Sequence, residues 1–282
     1  MVHCATQAVS PVFVGGIGGS GTRILATLLH TLGYHIGEDL NGSLDNLWFT
    51  AFFKRNAVWT MDDVEFERLY AAFRSVSSGI PSKFSINLQE IEAAMLDPRE
   101  QHPLSWLRQR KASLLHRLAN LQIKPLWAWK EPNSHIVARR IMALDSEIRY
   151  IHLARNGLDM ALSANQNQLQ FWGHLAMSDI RSEIRPAQSL SYWCWAEQRV
   201  RQLHEEYPER VLWIRYEDLC YRTNQASKEV AQFLDLSGAV VEKILENELE
   251  IPLTIGRFRQ LDKVCFQEED LQFVSSLGFP VE

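Results

Sequence analysis

PVFVGGIGGSGTRILATLLHTL, residues 11–32, sets a short apolar run against a string of glycines and then a leucine-rich segment. Pro11–Val14 reads as a buried strand, Gly15–Gly21 as a turn, and Thr22–Leu32 as a helix packed through Leu25, Leu28, Leu29 and Leu32. Strand, glycine turn and helix in that order open an α/β fold. Glycines let ligand atoms approach the backbone closely, and the free amides at a helix N-terminus bind negative oxygens. The turn therefore predicts an anion site, to which Ser20 and Thr22 add hydroxyl donors.

Two nucleotide motifs fit this stretch poorly. A Walker A loop reads GxxxxGK[ST], with Lys on the phosphates and the hydroxyl on magnesium. Gly16–Thr22 contains no GK[ST], which disfavours ATP hydrolysis and leaves a P-loop small-molecule kinase as an alternative reading. Gly16, Gly18 and Gly21 formally give GxGxxG, but a dinucleotide site wants an acidic residue ending a second strand about 20 residues on. Glu38 and Asp39 follow the helix with no convincing strand between. A non-catalytic nucleotide-binding protein is the third reading.

Further along, Pro125–Trp129, Ile148–Leu153 and Val211–Ile214 are apolar runs that end in charged residues, as strands of a covered parallel sheet do. Helical spacing is expected over 134–144, 157–171, 187–206 and 224–235, and again at 267–277. Residues 41–120 read as a largely helical insertion on the acceptor side, broken at Gly79-Ile80-Pro81 and Asp97-Pro98. The whole chain, 1–282, reads as one α/β domain with a P-loop-like parallel sheet flanked by helices. Trp48, Phe49, Phe52, Phe53 and Trp59 suit either an acceptor pocket or a helical core, as do Trp172, Trp193 and Trp195.

A formal charge of -5 argues against a general polyanion binder, so no nucleic-acid partner is expected. Cys4, Cys194, Cys220 and Cys265 form no CxxC array and read as ordinary thiols of a reducing, cytoplasmic compartment. Residues 1–11 do not look like a signal peptide, and no apolar run approaches the roughly 20 residues of a transmembrane segment. The absence of a DxD or His cluster gives no reason to expect a metal.

Taken together, the motifs resemble the sulfotransferase family, especially its bacterial and Golgi-like branches. The family's first motif is a basic residue followed by SGTT or SGTR, and Ser20-Gly21-Thr22-Arg23 matches it, with Gly19 in the basic position. The resemblance implies a P-loop-like α/β fold and transfer of a sulfuryl group from 3'-phosphoadenosine 5'-phosphosulfate (PAPS) to a hydroxyl or amine, leaving PAP. It implies that Gly18, Gly19, Ser20, Gly21, Thr22 and Arg23 hold the 5'-phosphosulfate. Ile151 to Ser163 resembles the family's 3'-phosphate motif, which gives Arg155 and Ser163 that phosphate.

Trp127-Ala128-Trp129-Lys130-Glu131-Pro132 resembles the family's KxP-like segment, which implies that Lys130 assists the leaving bridge oxygen and supplies the charge missing at Gly19. Thr254 to Arg259 resembles the donor closure, with Arg257 and Arg259 near the 3'-phosphate, and Trp213 to Leu219 resembles the family's YEDL region. For the general base, Golgi-like members place a Glu soon after the first helix. Glu38 matches that placement, Asp45 is the second candidate, and the choice stays open. Small-molecule, lipid, carbohydrate and peptide acceptors are all compatible with these motifs.

Overall fold

The computed structural model describes residues 10–81, 88–178, 185–260 and 266–282. Four parallel strands, β1 (Val12–Gly16), β2 (Ala128–Lys130), β3 (Arg149–Ala154) and β4 (Val211–Arg215), form one sheet in the order β2-β1-β3-β4. The apolar run at 125–129 thus yields a strand that starts three residues later, because Trp127 pairs only as an isolated bridge to His35. Alternation along β1 divides the core: Val12 and Val14 face one cluster and Phe13 the other, so both faces of the sheet are covered. In register, Phe13 lies between Trp129 and Tyr150, with stacked ring centroids at 4.8 Å and 4.3 Å. This aromatic row ties three strands together beneath the glycine turn.

Helix α1 (Arg23–Thr31) packs on the Val12/Val14 face, joined later by α11 (Tyr216–Tyr221), α12 (Thr223–Phe233) and α13 (Gly238–Glu248). Between β1 and β2 the expected helical insertion is α2 (Leu47–Phe53), α3 (Ala57–Thr60), α4 (Asp63–Ser78), α5 (Leu88–Met95) and α6 (Leu104–Ala119). Local chemistry sets its boundaries. Asn46 caps α2 by accepting from the Phe49 amide at 2.9 Å, Asp62 caps α4 through the Glu65 amide at 2.8 Å, and Gly79 ends α4 at φ +74°. Phe49 packs on Trp129 of the sheet, and Trp48, Phe52 and Phe53 are also fully enclosed, so these aromatics are core. Trp172 and Trp193 are core as well, whereas Trp59 is 39% exposed.

The opposite face carries α7 (Ser134–Leu144), α10 (Pro186–Glu206) and α14 (Glu268–Ser276). The single helix expected over 157–171 is instead two, α8 (Gly157–Ala161) and α9 (Asn167–Trp172). Side chains cause the break. Ser163 Oγ accepts from the Asn165 amide, and Gln166 Nε2 donates to the carbonyls of Met160 and Ser163, offering the backbone an alternative to helix. Cys194 and Cys220 are buried free thiols, while Cys4 and Cys265 lie outside the described residues. Among the described residues no helix is long and apolar enough to cross a membrane.

Candidate active site

The chain leaves β1 and crosses to β2 on one side and β3 on the other, so the strand order reverses at β1. In an open parallel sheet the crevice at the carboxyl ends of such strands is where ligands bind. Three exits meet there: the glycine turn after β1, Lys130–Pro132 after β2, and Arg155 after β3. The first two border a cleft of about 490 Å³, within the size range of small-molecule sites, whereas Arg155 and Ser163 lie behind Gly19 and are not part of its lining. Gly18, Gly19, Gly21, Thr22 and Arg23 line it, with Thr27, Ser43, Asp45, Lys130, Pro132, Asn165, Tyr216 and Glu248 to Glu250.

The glycine turn is held from outside. Gln168 accepts from the Gly18 amide at 3.1 Å and donates to the Gly16 carbonyl at 3.3 Å, and Ser20 N donates to Ile17 O at 2.9 Å. The amides of Gly19, Gly21, Thr22 and Arg23 have no hydrogen-bond partner among the described residues. Four free donors at the start of a nine-residue helix form an anion cradle. Gly19 and Gly21 adopt φ +101° and +91°, and a Cβ on Gly21 would meet the Tyr216 ring at 2.4 Å. Glycine at 21 is thus a packing requirement as well as a torsional one. Thr22 and Arg23 border the cleft, and Arg23 donates to Ser43 Oγ at 3.1 Å. Ser20 does not line it: its hydroxyl is buried under the turn, near Gly16, without a partner.

Gly19 stands where the resemblance calls for a basic residue, and its neighbours account for that. Arg155 donates to the Gly19 carbonyl at 3.3 Å and to Thr254 Oγ1 at 2.8 Å, while its Nε is buried with no partner. Its guanidinium also sits 5.5 Å from the Tyr216 ring centroid. Ser163 Oγ lies 3.5 Å from the position a Cβ on Gly19 would take, so Arg155 and Ser163 converge on this glycine. Ser163 reaches it from the turn after α8 rather than from within a helix.

On the other side, Lys130 is almost fully buried; its ammonium donates to the Ser43 carbonyl at 2.8 Å and to Asp45 Oδ1. Asn41 Nδ2 holds Asp45 Oδ2 at 2.8 Å. Glu38, by contrast, is absent from the cleft lining: it pairs with the buried Arg117 at 3.2 Å and approaches His35 at 4.0 Å. Asp39 is taken by Arg110 at 2.9 Å. Next to Lys130, burial pushes the Glu131 carboxyl up, reinforced by Asp45 and opposed by Lys54. Glu131 in turn accepts from the Asn133 amide at 2.6 Å, which fixes the strand exit. Lys54 is pushed down by burial and held up by Glu131 and Asp45, which puts a second ammonium within electrostatic reach of Asp45.

The segment that carries the C-terminal arginines is anchored by a residue the motifs did not single out. Asp159, fully buried in α8, accepts from the Gly256 amide at 2.7 Å and the Phe258 amide at 3.1 Å, and its carbonyl accepts from Arg257. Arg257 is therefore engaged with the backbone, and burial followed by repulsion from Arg155 pushes it down. Arg259 lies over Phe258 at 5.1 Å and does not line the cleft. In the YEDL region Glu217 accepts from the Asn156 amide at 2.9 Å and Asp218 pairs with Arg215 at 2.6 Å, which makes both scaffold residues. Gln168 and Asp159 carry no spacing signal of their own; only the folded chain brings them to the loops they hold. Among the described residues no group of His, Cys, Asp and Glu could hold a metal ion.

The family model described as "Sulfotransferase family" matches residues 11–239. Of solved structures, the sulfotransferase domain of the Synechococcus PCC 7002 olefin synthase aligns with a TM-score of 0.52 at 13% identity, over 97% of this chain and 95% of that one. The sulfotransferase domain from the curacin biosynthetic pathway aligns at 0.48 and 13% identity, over 97% and 99%. At such identity the first of these similarities speaks for the fold. No curated protein matches the chain by sequence.

Proposed function

The chain belongs to the sulfotransferase family, and from that premise we propose that it moves a sulfuryl group from PAPS to a hydroxyl or amine of a small acceptor. The observation that carries this reading is the convergence on Gly19 of two anion-binding elements. The amides of Gly19, Gly21, Thr22 and Arg23 have no partner among the described residues, and Arg155 and Ser163 adjoin Gly19. A donor with phosphate groups at two ends needs two such stations; a simple anion needs one. The orphaned Arg155 Nε and the unpartnered amides fit a ligand that brings acceptor oxygens to both. Thr22 and Arg23 complete the 5' station, whereas Arg257 supports the 3' station through repulsive proximity to Arg155, a repulsion that an anion relieves.

Bound PAPS supplies an electrophilic sulfur and a phosphate leaving group. Lys130 has three N–H donors, of which Ser43 O and Asp45 occupy two. The third is left for the oxygen on which charge grows as the sulfur–oxygen bond breaks, a contact that strengthens in the transition state. Asp45, in the same cleft, takes the proton of the attacking hydroxyl or amine; we assign the base there rather than to Glu38, which does not line the cleft. The exposed Glu248 and Glu250 make the end of the cleft by the α13 C-terminus acidic, which suits the uncharged nucleoside and its N–H donors better than phosphate. No step requires a metal ion. Incubation with radiolabelled PAPS and a panel of alcohols, sugars, phenols and amines tests the reading. Label transfer that Lys130→Ala abolishes supports it, and transfer to no acceptor together with no PAP binding contradicts it.

A further inference from the structure

Away from the donor cleft, a second opening of about 210 Å³ lies between α7 and α10, lined by His135, Arg139, Arg199, Val200, Gln202 and Leu203. Its charges are one-sided: two guanidiniums border it and no carboxylate is part of the lining. Arg139 has a partner on the rim, Glu206 at 3.0 Å. Arg199 is different. Its guanidinium sits 5.0 Å from the ring centroids of both Trp59 and Trp195, and its Nε is buried without an acceptor. Stacking covers the faces of a guanidinium and leaves its N–H edge as the part that binds. Both indoles lie against the Arg199 guanidinium, whose donors have no acceptor among the described residues, beside a second arginine that repels it.

His135 does not relieve the excess charge by accepting from these arginines. A carbonyl can only accept, so His135 Nδ1 donates to Pro132 O at 2.9 Å, and Nε2 is left as acceptor for the Tyr192 hydroxyl at 3.4 Å. A space of this size equals several waters, each taking about 30 Å³ in the liquid. It has room for one tetrahedral oxyanion with a short substituent.

We propose that the opening between α7 and α10 is an oxyanion site, separate from the donor cleft, which takes a phosphate or sulfate group on Arg199 and Arg139. The group comes either as the free ion or as the end of a small ester. The site does not depend on the donor assignment, since no residue lining it borders the donor cleft.

Calorimetric titration with inorganic phosphate, at ionic strength held constant with chloride, tests the proposal in the full chain. Wild type is expected to show a saturable class of sites that Arg155→Met retains and Arg199→Met weakens by about tenfold or more. A second variant guards against a folding defect. Gln202→Glu puts a carboxylate at the rim of the opening, so it is expected to raise Tm without phosphate and to lose the phosphate-dependent rise of the wild type. Repeating the titration with glycerol phosphate separates the sources: saturable binding of either ligand supports the site, and the tighter one names its natural form. Identical titrations of wild type and Arg199→Met, binding of neither ligand, or a Gln202→Glu protein that still gains stability from phosphate overturns it.

Discussion

Asp45 Oδ1 accepts a hydrogen bond from the Lys130 ammonium at the edge of the cleft, and the Ser43 carbonyl accepts a second at 2.8 Å. The lysine proposed to supply the charge missing from the glycine turn therefore arrives with a counter-ion. That pairing gives the two residues separable roles in turnover. Asp45→Asn should lower kcat by about a hundredfold or more through loss of the base, while PAP binding is unchanged or tighter because a negative charge leaves the cleft. Lys130→Ala should lower kcat with a smaller loss of PAP affinity. The double variant should fall well short of the product of the two losses, since the partners act on one another. Steady-state kinetics with calorimetric PAP binding measures all three.

Glu38→Gln separates the two candidates for the base. Its carboxylate is 42% exposed and pairs with Arg117. Turnover should stay within about twofold of wild type, with a stability change of at most about 1 kcal/mol by thermal denaturation. A loss of kcat comparable to that of Asp45→Asn would return the base to Glu38.

Gly19→Lys restores the family's basic residue and should still fail to improve the protein. The backbone there has φ +101°, and a Cβ would lie 3.3 Å from Met160 Cε. Strain at such a position costs about 1–2 kcal/mol. A lower Tm with no gain in PAP affinity is the expected outcome.

Acid should destabilise the fold through His135. Burial, followed by the charge of His152 and offset by the Pro132 carbonyl, pushes its imidazole down to about 3. Protons therefore bind the unfolded chain more readily. The contribution to stability is complete above about pH 6.5 and is lost as the pH falls toward the folded value. Between pH 7 and 5 this amounts to about 1–2 kcal/mol. His135→Asn keeps a donor for Pro132 O and should flatten that part of the profile, as measured by denaturant unfolding across the range.

The parts of this fold that were legible in sequence are those written locally. The strand, turn and helix of 11–32 announce themselves by apolar period and glycine, and α7 begins and ends where its spacing says. The site residues divide on the same principle. Arg155, Ser163 and the loop belong to contiguous motifs, and they do converge on Gly19. The break between α8 and α9 was hidden because Ser163, Asn165 and Gln166 compete with the helix only through side-chain bonds that period does not register. Spacing after α1 could not choose between Glu38 and Asp45 either. That choice depends on Arg117 and Lys130, residues some eighty positions away in sequence, and on which of them each carboxylate meets.

Competitive calorimetry with PAP and ADP decides whether the donor site has two ends. These ligands share adenosine and a 5'-phosphate, but only PAP carries the 3'-phosphate assigned to Arg155 and Ser163. PAP should bind at least about tenfold more tightly than ADP, and Arg155→Ala should remove this preference. Equal affinity for the two ligands, or a PAP preference that survives Arg155→Ala, would contradict a site with two ends.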